Sequence, residues 1–282
     1  MQLVHSIAQL RSVIKSYRRA GETIGLVPTM GNLHAGHLEL VKCADGKATR
    51  KVVSIFVNPT QFEKQDDLDK YPRTMEADLA QLEALGVDVV FAPEPQEMYP
   101  HGRLVTHVDV PKISSLLEGS SRPGHFRGVA TVVTKLFNIV TPDYAVFGQK
   151  DFQQLMLVRQ VVKDLDIPIE IIAVPTMREK DGLAMSSRNN RLTQAQRRQA
   201  PNLYRVLQHI EIQLSEGVKD FQSLQNAAMA ELDGLGFQSD YIQICNANDL
   251  MPAAANDKAL VILAAAYMGD IRLIDNIPVQ LA

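Results

Sequence analysis

Short apolar runs alternate with amphipathic stretches along the first 175 residues. Leu3, Ile7, Leu10 and Ile14 recur at near-helical spacing and predict a helix over residues 3–20. An apolar run from Ile24 then passes through Pro28 and Gly31 into a helix expected to begin near Ala35, the pattern of a strand, a turn and a helix start. Residues 52–57 predict a second strand, nearly continuous in its apolar character, as a parallel strand buried on both faces should be. A helix over 74–85 and a third strand over 87–91 follow, and Val105 to Val110 alternates as a strand does. His125 to Val140 predicts a buried helix with Val129, Val132, Val133, Leu136 and Ile139 on one face. Residues 144–147 and 169–174 read as further strands, with a helix entered through Gly148–Gln154 between them. Strands alternating with helices in this way predict an α/β fold built on a doubly wound parallel sheet.

From Pro175 the pattern changes. Residues 177–190 are polar and loop-like, Thr193 reads as a helix N-cap, and Pro201 should restart or kink that helix. Helices over 202–214 and 220–233 precede short strands over 241–245, 260–266 and 271–274. The expected division is therefore a sheet domain over 1–175 and a smaller α+β domain over 176–282. There is no internal repeat and no low-complexity tail.

Composition narrows the function classes. A chain of 282 residues can bury a substantial core in one large or two modest domains. Its net charge of −3 gives no electrostatic footprint for nucleic acid, whose phosphates need clustered Lys and Arg. Met1-Gln2-Leu3-Val4-His5-Ser6 lacks the basic start and long apolar centre of a signal peptide, and no apolar run approaches a membrane span. Cys43 and Cys245 are far apart with no metal-ligand spacing, which predicts unpaired thiols in a reducing cytosol. The expectation is a soluble cytoplasmic protein. The acidic run from Glu63 to Asp69 reads as a solvated loop rather than a metal cage, so no metal ligand is assigned.

The stretch with most chemistry is Ile24 to Leu38. A strand, a glycine-bearing turn and a helix start bring backbone N–H groups to one point. His34 and His37, three residues apart, share a face of the first helical turn. Such donors beside a positive helix end suit a phosphate, above all one gaining charge in a transition state. Ligands of doubly wound sheets bind outside the carboxyl ends of the strands. Pro28–His37, Asn58–Phe62 and Gly148–Gln154 all follow expected strand ends, so the three should converge on one crevice.

His-x-Gly-His at the first strand–helix junction resembles the nucleotidylyltransferase superfamily, which includes class I aminoacyl-tRNA synthetases. The longer string Pro28-Thr29-Met30-Gly31-Asn32-Leu33-His34 is similar to one of its families, the pantothenate synthetases (pantoate–β-alanine ligases). Ser54–Phe62, Tyr71-Pro72-Arg73-Thr74, Arg122–Gly128, Gly148–Gln154 and Met185–Asn189 extend the resemblance over essentially the whole chain. It implies a Rossmann-like nucleotidylyltransferase fold with the smaller C-terminal domain closing over the site. It also implies ATP-dependent condensation of (R)-pantoate with β-alanine through pantoyl adenylate, releasing pyrophosphate and AMP. The partners so implied are ATP, pantoate, β-alanine and a second copy of the chain, with Mg²⁺ arriving on ATP. Nucleic acid and membrane are not among them. One departure is Gly46, near the end of the first site helix, which should cost about 1 kcal/mol relative to Ala if it is interior.

The reaction implied explains what the chain lacks. A carboxylate is already ionised near neutral pH, so adenylation needs no Ser/His/Asp triad, only alignment and stabilisation of departing pyrophosphate. The catalytic residues expected from the resemblance are His34, His37, Lys150, Ser186, Ser187 and Arg188. ATP binding would add Met30, Gly31, Asn32, Leu33, Ala35, Gly36, Gly148, Gln149, Asp151, Met177 and Met185. Ser-Ser-Arg in isolation reads more readily as a polar linker than as a phosphate loop, and Asp151 alone as a helix cap. Gln61 and Gln154 are the candidates for pantoate, since an amide offers donors and an acceptor without a full charge. Pro28, Met30 and Phe62 would cover its geminal methyl groups, although ordinary core packing explains Phe62 as well. His5, His101, His107, His125 and His209 carry no motif that chooses between surface and site. The rival readings are another adenylyltransferase of the superfamily, acting on phosphopantetheine or nicotinate nucleotide, and a non-catalytic nucleotide sensor.

Overall fold

Apolar runs with no polar alternation belong in a sheet covered on both faces, and the centre of this sheet is made of two of them. The structure, a computed structural model, describes residues 1–62, 65–102 and 104–281. Six strands form one parallel sheet: β1 (Gln2–Val4), β2 (Ile24–Thr29), β3 (Arg50–Ile55), β4 (Val89–Phe91), β5 (Tyr144–Gly148) and β6 (Glu170–Val174). Their order is β1-β4-β3-β2-β5-β6, and every neighbouring pair is parallel. Helix α2 (Ala35–Asp45) covers one face, where Leu40, Val41 and Ala44 pack with Val27, Val53, Val90 and Val146.

Several boundaries differ from the sequence expectation, each for a local reason. The helix expected over 3–20 is α1 (Ile7–Arg19), and Gln2–Val4 instead pairs with β4 at the sheet edge. Ser6 and Gln9 form a capping box that starts α1, so the residues before it are released to extend. β3 spans Arg50–Ile55 rather than 52–57, because the Asn58 side chain accepts from Thr60 N and turns Pro59–Gln61 into a 3₁₀ helix. Residues 105–110 form no strand: Val105 is 97% exposed, and Val108 bonds instead to the Thr131 hydroxyl, N–H to Oγ1 at 3.0 Å. In the acidic run, Gln65–Asp69 is a short helix with Asp66 and Asp67 exposed, while Glu63 lies outside the described residues. Gly46 is the C-cap of α2 and not an interior residue, so the interior helix cost does not arise.

The chain divides into two compact units, Met1–Gln149 with Gln153–Pro175, and Lys150–Phe152 with Thr176–Ala282. In the second, β7 (Gln238–Asn246), β8 (Ala259–Met268) and β9 (Ile271–Gln280) form an antiparallel sheet in that order. These strands are longer than the apolar runs suggested: β7 begins with the polar residues Gln238, Ser239 and Asp240, and β9 continues through Asp275 and Asn276 to Gln280. The helices Asn202–Ser215 and Phe221–Gly234 bury Leu203, Val206, Leu207, Ile210 and Leu232 against Ile242, Ile262, Leu273 and Ile277. Thr193 caps the helix Gln194–Gln199, and Pro201 separates it from the next, as expected. Cys43 and Cys245 are both free thiols; burial pushes Cys245 up to about 12. Among the described residues no helix is long and apolar enough to cross a membrane.

Candidate active site

With every strand parallel, the order β3-β2-β5 sets three carboxyl ends side by side. Onto them follow Pro28–His37, Asn58–Phe62 and Gly148–Gln149. The turn after β2 needs left-handed backbone at Gly31 (φ +79°) and Asn32 (φ +50°). A Cβ on Gly31 would stand 3.1 Å from both Asp78 Oδ2 and Ile55 Cγ2, so glycine also answers a close approach. Asp78, buried on the helix Met75–Ala84, accepts from Asn32 N and Leu33 N at 2.8 Å each and from Thr74 Oγ1 at 3.1 Å. Thr29 Oγ1 accepts from Gly31 N at 3.2 Å and donates to Ser54 O at 2.8 Å. The turn is thus held by side chains beneath it.

His34 is the N-cap of α2 and His37 its third residue, and the two rings close the helix start reciprocally. Gly36 N donates to His34 Nδ1 (3.1 Å) and His34 N donates to His37 Nδ1 (3.3 Å). A backbone N–H only donates, so both Nδ1 atoms are acceptors and each neutral ring carries its proton on Nε2. Their centroids lie 4.0 Å apart. Met30, Ala35, Gly36 and His37 are accessible in this stretch, whereas Gly31 and Leu33 are buried and offer backbone at most.

The elbow after β3 is organised by Asn58, which is buried. Its Oδ1 accepts from the Tyr99 hydroxyl (2.7 Å) and Thr60 Oγ1 (2.9 Å), and its Nδ2 donates to Gln61 Oε1 (3.0 Å) and Gly128 O (3.3 Å). Burial raises the Tyr99 phenol above its ordinary range. Gln61 Nε2 in turn donates to Met30 Sδ at 3.2 Å, so the elbow and the turn after β2 meet directly. His125 Nδ1 donates to Gln61 O at 2.9 Å, which gives this otherwise unassigned histidine a place under the elbow. Phe62 packs edge-on to Tyr71, centroids 5.8 Å apart. A cavity of about 210 Å³ opens here, with Gln61, Phe62, His107, His125 and Arg127 on its wall.

Gly128 explains how closely the helix His125–Val140 approaches. A Cβ there would stand 2.4 Å from Thr60 O and 2.9 Å from Gln61 N. Gly128→Ala is expected to cost about 1–3 kcal/mol by overpacking and to displace Gln61. Thermal unfolding should fall by several degrees, and an unchanged midpoint would contradict this geometry.

Gln154 is half-buried on the helix Phe152–Asp164. Its neighbour Gln153, not singled out from sequence, is buried and bonds to Ile113 O, Leu116 O and Glu118 N. Pro28 is half-buried at the end of β2. Gly148 ends β5, and Gln149–Asp151 make a 3₁₀ turn in which Asp151 is exposed.

In the second unit, Met177 to Met185 doubles back as a short hairpin. Arg178 bridges Ala184, Glu179 N donates to Leu183 O at 2.8 Å, and Met185 N donates to Met177 O at 2.9 Å. Ser186, Ser187 and Arg188 leave the hairpin half-exposed, and Arg188 N donates to Ser186 Oγ at 3.2 Å. Arg178 holds the hairpin base through a forked pair with Asp275 at 2.6 and 2.9 Å. Asn276 Nδ2 donates to Lys150 O at 2.9 Å. The structure thus brings together His34 with His37, Met30 with Gln61, and Lys150 with the anchor of the Ser186 loop. Asn58 and Gly128 stood inside motifs without a role of their own, and Asp78, Asp275 and Asn276 stood in none. For Asp78 a signal was present, since it lies four residues before the core residue Leu82 on the same helical face.

A six-stranded parallel sheet whose central strand runs into a His-x-Gly-His helix start has the architecture of the nucleotidylyltransferases. The family model described as pantoate-beta-alanine ligase matches residues 2–278. A pantothenate synthetase of Pseudomonas putida KT2440 is 52% identical over 282 residues, covering all of this chain and 98% of that protein. One of Alkalilimnicola ehrlichii is also 52% identical, covering all of this chain and 99% of its own length. The crystal structure of pantothenate synthetase from Thermus thermophilus superposes with a TM-score of 0.92 at 43% identity, over 98% of this chain and 99% of that one. Pantoate-beta-alanine ligase from Francisella tularensis, complexed with beta-gamma ATP and beta-alanine, gives 0.84 at 38% identity, over 98% and 97%. The chain belongs to the pantoate-beta-alanine ligase family.

Proposed function

We propose that this enzyme condenses pantoate with β-alanine at the expense of ATP, forming pantoyl adenylate and pyrophosphate first and releasing AMP when the amine attacks. The observation that carries the reading of the site is the shared tautomer of His34 and His37. Both neutral rings keep their proton on Nε2, so both are donors, and a pair of neutral donors at a helix N-terminus suits a phosphate that gains charge as its bond breaks. The Francisella relative, solved in complex with beta-gamma ATP and beta-alanine, supports ATP and β-alanine as substrates here.

In this reading His34, His37, Lys150, Ser186, Ser187 and Arg188 stabilise the pyrophosphate as it leaves. Met30 to His37 and Gly148 to Asp151 line the nucleotide, together with Met177 and Met185. None of the groups proposed at the phosphates is a carboxylate, the usual protein ligand of Mg²⁺. Mg²⁺ is accordingly proposed to ride on ATP, shielding its oxygens. Gln61 and Gln154 hold pantoate, with Pro28, Met30 and Phe62 against its methyl groups. Gln61 is suited to this because its Nε2 now donates to a thioether, a weak acceptor that a substrate oxygen readily replaces. A homodimeric, cytoplasmic enzyme is proposed from the family resemblance.

The direct test gives purified protein ATP and pantoate, follows pyrophosphate, then adds β-alanine and follows AMP. Release of ADP and phosphate, or binding of ATP with no turnover as for a sensor, would exclude the proposal. Gln61→Ala and Gln154→Ala are expected to weaken pantoate binding while leaving ATP binding nearly intact. Calorimetry with each ligand checks this, and lost ATP binding with unchanged pantoate binding would reverse the assignment.

A further inference from the structure

We infer that Asp275 and Asn276 of β9 are positioning residues for adenylation, fixing the backbone at Lys150 and the base of the Ser186–Arg188 loop as one rigid element. The inference rests on the reading of Lys150, Ser186, Ser187 and Arg188 as phosphate ligands.

The register of β9 is the first observation. Ile271, Leu273, Ile277 and Val279 are buried on its core face, and the period of two sets Asp275 in the same row. An ionised carboxylate in such a row is costly unless it is paired. Asp275 is 3% exposed and meets both guanidinium nitrogens of Arg178. Burial holds its carboxyl above the ordinary range, opposed in turn by the hydrogen bonds and charge of Arg178, the N–H of Asn276 and the charge of Lys150. One carboxylate therefore lies in the field of two cations from separate segments of the unit.

The second observation is how fully Arg178 is committed. It also donates to Gly182 O (3.1 Å) and Asn276 O (3.3 Å), and its guanidinium stacks 3.5 Å from the Tyr204 ring centre. Gly182 is left-handed (φ +94°), and a Cβ there would stand 2.8 Å from Tyr204, so the hairpin tip and the stack fit only one way. Asn189 Nδ2 donates back to Ala184 O at 3.0 Å, closing the loop that presents Ser186 and Arg188.

The third is Asn276, 2% exposed and on the opposite face of β9, whose Nδ2 donates to Lys150 O. Two adjacent residues thus grip the two segments assigned to the phosphates from the two faces of one strand. A buried ion pair adds little net stability over an apolar pair of similar volume. What the fork supplies is direction, and a displacement of about 1 Å at reacting groups is enough to cost on the order of 10²-fold in rate.

The test compares three proteins in pre-steady-state adenylation, with pantoate affinity and thermal midpoint measured alongside. Asn276→Ala removes the amide bond to Lys150 O and strands no charge; it should slow adenylation by roughly tenfold or more with pantoate affinity unchanged. Arg178→Met/Asp275→Leu replaces the pair by apolar side chains, so its thermal midpoint should be near or above that of the parent while adenylation is similarly slow. Adding Asn276→Ala to Lys150→Ala should slow the reaction no further. Folded variants with parental adenylation rates, or an Asn276→Ala effect that adds in full to that of Lys150→Ala, would overturn the inference alone. Parental adenylation by Lys150→Ala itself would overturn the phosphate-ligand reading, and the inference with it.

Discussion

His37→Ala is expected to lower the rate of adenylate formation by about 10²-fold or more, the usual effect of losing one donor aimed at developing charge. Pantoate affinity should change far less. The residue has two jobs in the structure, and the experiment must separate them. Its Nδ1 accepts from His34 N and so helps to close the start of α2. Losing that bond alone should cost on the order of 1 kcal/mol of stability, as for other lost caps. A cap defect lowers the thermal midpoint but leaves the rate of properly folded enzyme alone. The donor role predicts the reverse emphasis, a large rate loss at temperatures where the variant is fully folded. Single-turnover measurement with ATP and pantoate distinguishes them, and parental turnover in a folded His37→Ala protein would remove His37 from the chemistry.

The parts of this molecule that were legible in the sequence are those whose causes are local. The strand–turn–helix at Ile24 to Asp45 is written in one apolar run, one left-handed glycine and a pair of histidines three residues apart. The helix His125–Val140 is written in its own periodicity. Strand ends were less legible because a side chain can end a strand without changing its apolar run, as Asn58 does for β3. The weakest reading was of segments whose bonds come from elsewhere. Val105 to Val110 alternates well, yet its polar backbone is met at Val108 by Thr131 and not by a neighbouring strand.

The same distinction runs through the candidate site. His34, Gln61 and Ser186 stand in compact motifs, so a family resemblance reaches them. Asp78 bonds to a turn 46 residues away, and Asp275 to an arginine 97 residues away. No short motif contains both partners. What the sequence does contain is a violation of its own pattern: a carboxylate on the buried face of a helix, and another in the apolar row of a strand. Such a residue must find a partner or strain the fold. Reading these violations as requests for a distant partner would have drawn attention to both, though not to the partner's identity.

A tightly held acyl-adenylate, formed before β-alanine is present, is the second large expected effect. A carboxylate and an amine do not condense appreciably in water, so the acid must first receive a good leaving group. AMP is that group, and the proposed donors act while pyrophosphate departs. The intermediate should therefore accumulate to about one equivalent per site when β-alanine is withheld, shielded from hydrolysis until the amine enters. Arg188→Ala should slow this first half-reaction markedly, since the guanidinium fork is proposed to meet the charge that builds on pyrophosphate. It should affect the later attack of β-alanine far less, because in that step the charge collects on AMP. Rapid quench with ATP labelled in the α-phosphate resolves the two steps in one experiment. If no adenylate forms without β-alanine, the order of events is wrong; if Arg188→Ala slows only the amine step, the order stands and Arg188 acts elsewhere.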